Sequence, residues 1–175
     1  TVRVVTTASG RVDLTGVGYA PGGEALHDGR PLADPALVEE VRRLLHAAER
    51  ASNATLHEVD GRWEVQGDPT EGALVVAAQK LGIARPAEEA HLSRVGEIPF
   101  SSERKLMSTA YADAREEDRA VVLAKGAPDV LLARCSAEWV GSAPRPLTDE
   151  RRRAILAVVE DLAGEALRTL GVAGR

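Results

Sequence analysis

The sequence predicts an α+β fold, a twisted antiparallel β-sheet flanked by helices, and three observations predict it. Strand-length segments outnumber those a βαβ alternation would supply. Two alternating segments, Lys105–Ala112 (KLMSTAYA) and Arg119–Lys125 (RAVVLAK), flank a charged loop, Asp113–Asp118, and read as a hairpin. Three helices announce their starts by capping residues at Asp34, Asp68 and Thr148.

Val2–Thr7 and Arg11–Leu14 read as strands around Ser9-Gly10, and a polar, glycine-rich loop then leads to a helix capped at Asp34 with Pro35 at its first position. That helix carries Leu37, Val41, Leu44, Leu45 and Ala48 on one face. Trp63 and Val65 mark a short strand. In Gly67–Leu74 (GDPTEGAL), Asp68 is the N-cap, Pro69 fits the first helical position, and Glu71 falls three residues after the cap to close a capping box. This helix runs to about Leu81, with Leu74, Ala77, Ala78 and Leu81 on one stripe and Gly82 ending it. Arg94–Phe100 is a further strand before the hairpin, Pro128–Cys135 a short helix, and Ser136–Leu147, with Gly141, Pro144 and Pro146, a loop. The last helix opens at Thr148, has Asp149 and Glu150 in its first turn, and lines up Ile155, Val158, Val159, Leu162, Ala166 and Leu167 as a continuous apolar stripe. The residues after Arg168 are again strand-like.

Length and composition favour a single domain spanning residues 1–175, since 44% hydrophobic content in 175 residues builds a proper core. No apolar run approaches the roughly 20 residues needed to span a membrane, and no targeting peptide is recognisable. A chain that starts and stops inside apolar strand patterns is expected to be an excised piece whose two ends lead to a neighbouring domain. Cys135 is alone, which fits a reduced setting, and the four histidines lack the spacing of a metal site. There is no Gly-x-x-x-x-Gly-Lys-Ser/Thr loop. Gly16-Val-Gly18-Tyr-Ala-Pro-Gly22 has its third glycine one place late for a dinucleotide fingerprint, and Pro21 bars the helix that fold requires, so it reads as a turn.

Two motifs concentrate the chemistry. Phe100-Ser-Ser-Glu-Arg-Lys105 ends on a lysine at the mouth of the predicted hairpin, and Lys125-Gly-Ala-Pro128 begins on one. Directly opposed residues would sit about 5 Å apart, where two like charges repel unless an anion lies between them; a one-residue slip would put them on opposite faces. The phosphates of a nucleotide would account for the pair, with Phe100 as a face for the base. Lysines also blunt sheet edges and a phenylalanine after a proline is usually core, so the hairpin alone leaves both readings open. Capping likewise explains Asp68, Pro69 and Glu71 without a ligand, while Thr70 and Gly72 are left over.

In their order, GDPTEGAL, IPFSSERKLMS, LAKGAPDVLLARC and LRTLGVA, the motifs resemble the nucleotide-binding domain of P-type cation-transporting ATPases. The opening TVRVVTTASGRVDLTGVGYAPGGE is similar to the segment following the phosphorylation site of such pumps, so the resemblance covers nearly the whole chain. The forms Pro-Thr-Glu-Gly-Ala-Leu and Lys-Gly-Ala-Pro look most like the calcium-type branch and its bacterial relatives. The heavy-metal branch usually shows a His-Pro dipeptide, and none of His27, His46, His57 or His91 precedes a proline.

The resemblance implies roles. Phe100 matches the aromatic that stacks on adenine, a contact worth on the order of 1–3 kcal/mol. Glu71 matches a carboxylate near the adenine amino group, with Thr70 beside it. Lys105 matches a lysine near the nucleotide and phosphates, Lys125 the lysine at the floor of the adenine pocket, and Gly126 the glycine that admits close backbone approach. Arg168 matches an arginine reaching toward the phosphates near the hinge. Ser102 stands where animal calcium pumps commonly place an arginine, so one phosphate contact of those pumps has no counterpart at this position. Implied with these are ATP as ligand (Mg-ATP in the parent pump), the phosphorylation and actuator domains of the same parent chain as partners, and a cytoplasmic position in an integral membrane protein.

A net charge of -5 repels ATP at long range, but salt screens that field over roughly 8 Å and leaves Lys105, Lys125 and Arg168 to decide the contact. Nucleic acid is not an expected partner, for there is no basic face and the aromatics are two Trp, two Tyr and one Phe. One stacked base plus one or two charge-assisted hydrogen bonds puts affinity between roughly micromolar and millimolar. The Asp-Lys-Thr-Gly phosphorylation motif is absent from these residues, so binding without turnover is expected. The ion-binding residues lie in membrane segments not present here, and only motif flavour points to calcium. Two other classes stay in view. A non-enzymatic α+β interaction module would show no base preference and no dependence on Phe100. An autonomous kinase or nucleotide hydrolase would need a Mg2+-binding carboxylate cluster that does not accompany the lysines.

Overall fold

The computed structural model describes residues 1–83, 91–116 and 120–175. Asp118, at the end of the expected hairpin loop, and Arg119, the expected start of its second strand, lie outside the described residues. The chain divides into two compact units, Thr1–Glu89 with Trp139–Ala143, and Ala90–Glu138 with Pro144–Arg175.

In the first unit, β1 (Val4–Thr6), β2 (Arg11–Leu14), β3 (Ala25–His27) and β4 (Arg30–Pro31) form a sheet of that order. It is antiparallel throughout, with Val5 opposite Val12 and Leu26 opposite Pro31. Helix α1 (Pro35–Arg50) follows, its first turn capped by Asp34 Oδ1, which accepts from the Leu37 N–H at 2.8 Å. A second antiparallel pair, β5 (Thr55–Val59) and β6 (Arg62–Gln66), precedes α2 (Pro69–Lys80). Val5, Val12, Leu14, Leu37, Val41, Leu45, Ala77, Ala78 and Ile83 make one core, fed by the alternate positions of the strands and the facing stripes of the two helices.

The glycine-rich segment is a closed turn, as its proline demanded: the Thr15 N–H donates to the Glu24 carbonyl at 2.9 Å, and the Glu24 N–H to Thr15 Oγ1 at 2.8 Å. Lys80 Nζ donates to the carbonyls of Thr15 (2.7 Å) and Gly16 (3.1 Å), and burial pushes its ammonium below the usual lysine range. Glu40, 3% exposed, accepts from Ser9 N–H (2.9 Å), Ser9 Oγ–H (2.7 Å) and Gly141 N–H (2.5 Å). Burial works to raise its pKa, but these donors outweigh it, the Gly141 N–H first, and hold the carboxyl below the ordinary value. Beside it the Arg43 guanidinium lies 3.8 Å from the centroid of the Trp139 ring.

The second unit is built on a four-stranded antiparallel sheet of β7 (Leu92–Ile98), β8 (Leu106–Asp113), β9 (Ala120–Gly126) and β12 (Gly171–Gly174), in the order β12-β9-β8-β7. Central β8 buries Leu106, Met107, Ser108, Thr109, Tyr111 and Asp113, residues of both its faces. A register shift between Arg94 and Gly96 bulges the edge strand. Helix α3 (Pro128–Leu132) packs on β9 and β12, and α4 (Asp149–Gly164) packs on α3. Arg152 donates to the Leu132 and Cys135 carbonyls at 2.5 Å each, satisfying the open end of α3, and Arg151 grips both oxygens of Glu138 at 2.7 and 2.9 Å.

Three expectations need correction. The loop before α1 contains the β3–β4 hairpin, and β5 precedes the strand marked by Trp63 and Val65. Residues expected as loop between Ser136 and Leu147 form a two-stranded sheet, β10 (Ala137–Val140) and β11 (Ala143–Pro146), turning at Gly141 with φ 58°. The apolar stripe of α4 is shorter than expected: the helix ends at Gly164, so Ala166, at φ 58°, and Leu167 fall beyond it, Ile155, Val159 and Leu162 are partly buried, Val158 is exposed, and no residue of the helix is fully buried.

Candidate functional site

The topology of the second sheet gathers five of the seven residues singled out by sequence. The end of β7 (Ile98), the start of β8 (Leu106), the end of β9 (Gly126) and the start of β12 (Gly171) share one end of the sheet, since Ile98 pairs with Ser108, Leu106 with Gly126, and Gly126 with Gly171. Phe100 and Lys105 lie on the segment joining β7 to β8, Lys125 and Gly126 close β9, and Arg168 lies three residues before β12. Thr70 and Glu71 belong to the first unit, in the first turn of α2.

The two lysines are not directly opposed. Met107 faces Lys125 across the ladder, and Lys105 stands outside it, its carbonyl accepting from the Ala127 N–H at 3.0 Å. The offset is set by the register, in which Leu106 pairs with Gly126 and Met107 with Lys125; Lys105 precedes the ladder with φ 57°, a left-handed conformation foreign to regular strands. Lys105 therefore stands two residues along the chain from the partner of Lys125. Lys125 is 7% exposed, a burial that demands counter-charge or acceptors, whereas Lys105 and Arg168 are exposed.

Gly126 is the point of closest backbone approach. A Cβ there would overlap the Lys105 carbonyl oxygen and lie 2.8 Å from Leu106 Cα. Phe100 is 61% exposed, so its ring is not core, as a phenylalanine after a proline would ordinarily be. The segment between is one helical turn. The Lys105 N–H donates to the Ser101 carbonyl at 2.7 Å and the Arg104 N–H to Ser101 Oγ at 3.1 Å. Sequence reasoning passed over Arg104, although a serine three residues ahead of it is a cap signal that could have drawn attention to the turn.

On α2, Asp68 Oδ1 caps the helix by accepting from the Thr70 and Glu71 N–H groups at 2.8 and 3.0 Å. Glu71 Oε2 also accepts from the backbone N–H groups of Asn53 (2.6 Å) and Ala54 (3.1 Å), tying the helix to the chain ahead of β5. Gly72 now has a reason: a Cβ would overlap Val65 Cγ1 and stand 2.7 Å from Val65 Cγ2. Among the described residues no group of three or more His, Cys, Asp and Glu is arranged to hold a metal ion, and no helix is long and apolar enough to cross a membrane.

The family model for the P-type ATPase cytoplasmic domain N matches residues 40–175. The chain is 32% identical over 165 residues, 93% of its length, to the calcium-transporting ATPase of Bacillus subtilis. It is 38% identical over 172 residues, 97% of its length, to the probable cation-transporting ATPase F of Mycobacterium tuberculosis, and 30% identical over 172 residues to the rat calcium-transporting ATPase type 2C member 2. It spans 18% of each of these relatives. Motif order, an antiparallel α+β architecture and matches across nearly the whole length agree, and the chain belongs to the P-type ATPase cytoplasmic N-domain family.

Proposed function

We propose that residues 1–175 act as a nucleotide-binding domain that holds ATP and delivers its γ-phosphate to an aspartate on the phosphorylation domain of a cation-transporting pump. The observation that carries this is the gathering of an exposed aromatic, two lysines, a close-approach glycine and an arginine at one end of the second sheet. In this reading adenine stacks on Phe100, Lys125 and Gly126 form the floor beneath it, and Lys105 and Arg168 serve the phosphates. Glu71 enters through its motif, as the carboxylate near the adenine amino group, with Thr70 beside it in the same motif.

Magnesium would travel with the phosphates, and the actuator and phosphorylation domains of the parent chain are the partners this role requires. The relatives are calcium- and cation-transporting ATPases by name, which supports an ion-pumping, membrane-embedded parent and a cytoplasmic position for this domain. The domain alone binds ATP and turns none of it over, since no residue here offers a phosphoryl-accepting aspartate motif.

A second reading, a non-enzymatic interaction module, draws on the α2 motif, where capping and packing already account for Asp68, Pro69, Glu71 and Gly72. Calorimetric titration with ATP and GTP separates the two. ATP binding in the micromolar to millimolar range, weakened at least tenfold by Phe100→Ala and by Lys125→Ala in folded protein, supports the nucleotide site. Indifference to both substitutions, or equal affinity for GTP, supports the module. Steady-state ATPase activity from the pure chain would contradict binding without turnover.

A further inference from the structure

We infer that Arg104 is a positioning residue for the nucleotide contacts of Phe100 and Lys105, a clip that fixes the segment carrying them. Its guanidinium reaches both ends of that segment: Nη1 donates to the Ile98 carbonyl, at the end of β7, and to the Leu106 carbonyl, at the start of β8, each at 3.4 Å. Nη2 donates to Ser108 Oγ at 2.5 Å, two residues into β8. The backbone of Arg104 is held as well, through its N–H on Ser101 Oγ at 3.1 Å.

These bonds fix what the exposed side chains cannot fix for themselves. Phe100 sits between Ile98, which the clip holds, and Ser101, which caps the turn. A ring 61% exposed has few contacts of its own and takes its position from this backbone. Lys105 closes the turn at φ 57°, with its N–H on the Ser101 carbonyl and its carbonyl on the Ala127 N–H. A left-handed residue without glycine's freedom persists only where the surroundings over-determine it. Arg104 supplies part of that surrounding, and an ordered segment gives up less freedom when a base stacks on it. Its donors meet three protein oxygens, so Arg104 acts through its neighbours and is no substitute for a phosphate-binding arginine at position 102. The geometry also requires an arginine, because a planar fork spans two carbonyls and a hydroxyl that a single ammonium cannot reach together.

This inference rests on the proposed nucleotide site for its ligand and stands apart from it in its first readout. In ligand-free protein, Arg104→Ala and Arg104→Lys are expected to speed amide hydrogen exchange at residue 104 and Lys105 at least tenfold while the β8–β9 ladder amides keep their protection. In titrations with ATP, each raises the dissociation constant at least fivefold. The Phe100→Ala/Lys105→Ala/Arg104→Ala triple variant binds no more than about twofold weaker than Phe100→Ala/Lys105→Ala, because the clip works through those two side chains. Unchanged exchange at residue 104 and Lys105 overturns the inference, and so does an effect on affinity fully additive with that of the Phe100→Ala/Lys105→Ala pair. Should the chain bind no nucleotide at all, the proposed function fails while the exchange comparison still decides the clip. If Arg104→Ala does not fold, Arg104→Lys, which keeps the charge and the apolar stem, decides by the same measurements.

Discussion

Replacing Gly126 by alanine tests the tightest point of the second sheet. The residue has φ 157°, and an added Cβ would collide with the Lys105 carbonyl oxygen and lie 2.8 Å from both Leu106 Cα and Leu106 Cδ2. A rotamer change could relieve only the last contact, and Leu106 is itself 1% exposed, so the backbones of β8 and β9 must separate. Overpacking of this kind costs about 1–3 kcal/mol, and an unfavourable backbone conformation adds about 1–3 kcal/mol, giving roughly 2–6 kcal/mol in all. With a urea dependence of about 2 kcal/mol/M, the midpoint of unfolding followed by far-ultraviolet circular dichroism falls by on the order of 1–3 M. ATP affinity falls with it, because the Lys105 carbonyl is the group displaced. Gly164→Ala is the control: a Cβ there meets nothing within 4 Å at the end of α4, and the change is neutral or stabilising by up to about 1 kcal/mol. Equal stability of the Gly126→Ala and Gly164→Ala proteins would refute the close-approach reasoning.

Phe100→Ala should leave the unfolding midpoint unchanged, since the ring is 61% exposed, yet weaken ATP binding about tenfold or more; unaltered calorimetric affinity would remove the ring from the site. Gly72→Ala should cost about 1–3 kcal/mol by pressing on Val65, and a Val65→Ala partner should recover most of it; additive losses in a double-mutant cycle would contradict the packing account. Glu40→Gln should destabilise the chain by about 1–3 kcal/mol near neutral pH by weakening a charge-assisted staple. Because the folded carboxyl titrates below its ordinary value of 4.5, its contribution is complete above that value and is lost as pH falls through the folded pKa. The wild-type advantage over Glu40→Gln is therefore constant down to about pH 5.5 and shrinks below 4.5, and urea titrations showing a gap that widens in acid would count against it.

What could be read from the sequence was local. Asp34, Asp68 and Thr148 cap helices through side-chain bonds spanning two or three residues, so their chemistry is written in adjacent letters. The β8–β9 hairpin was legible from alternation around a charged loop. The missed hairpins had a signal of another kind. Asp28-Gly29 and Asp60-Gly61 turn with φ 51° and 72°, and 52° and 74°, as Asp-Gly pairs do, but their flanking strands are short and mostly exposed, and of the four only β6, with Trp63 and Val65, shows apolar alternation. In β11, Pro144 and Pro146 argued for loop, which an exposed two-stranded sheet tolerates.

At the site, residue types and their order were legible and register was not. The two-residue offset between Lys105 and Lys125 is set by the pairing of Leu106 with Gly126 and Met107 with Lys125, which alternation alone does not fix, and the left-handed turn at Lys105 is held by Ser101 and by Ala127 just beyond β9. Gly72 was opaque for the same reason, since its need lies in Val65 of a different element.

The central claim is a nucleotide site at one end of the second sheet. A two-dimensional amide NMR titration of the chain with ATP, AMP and GTP tests it most directly, following Phe100, Glu71, Lys105 and Lys125. Saturable shifts at these amides with ATP and AMP, weaker with GTP, are the predicted result. Absence of saturable shifts up to several millimolar, beyond the roughly -4 kcal/mol level, would contradict it.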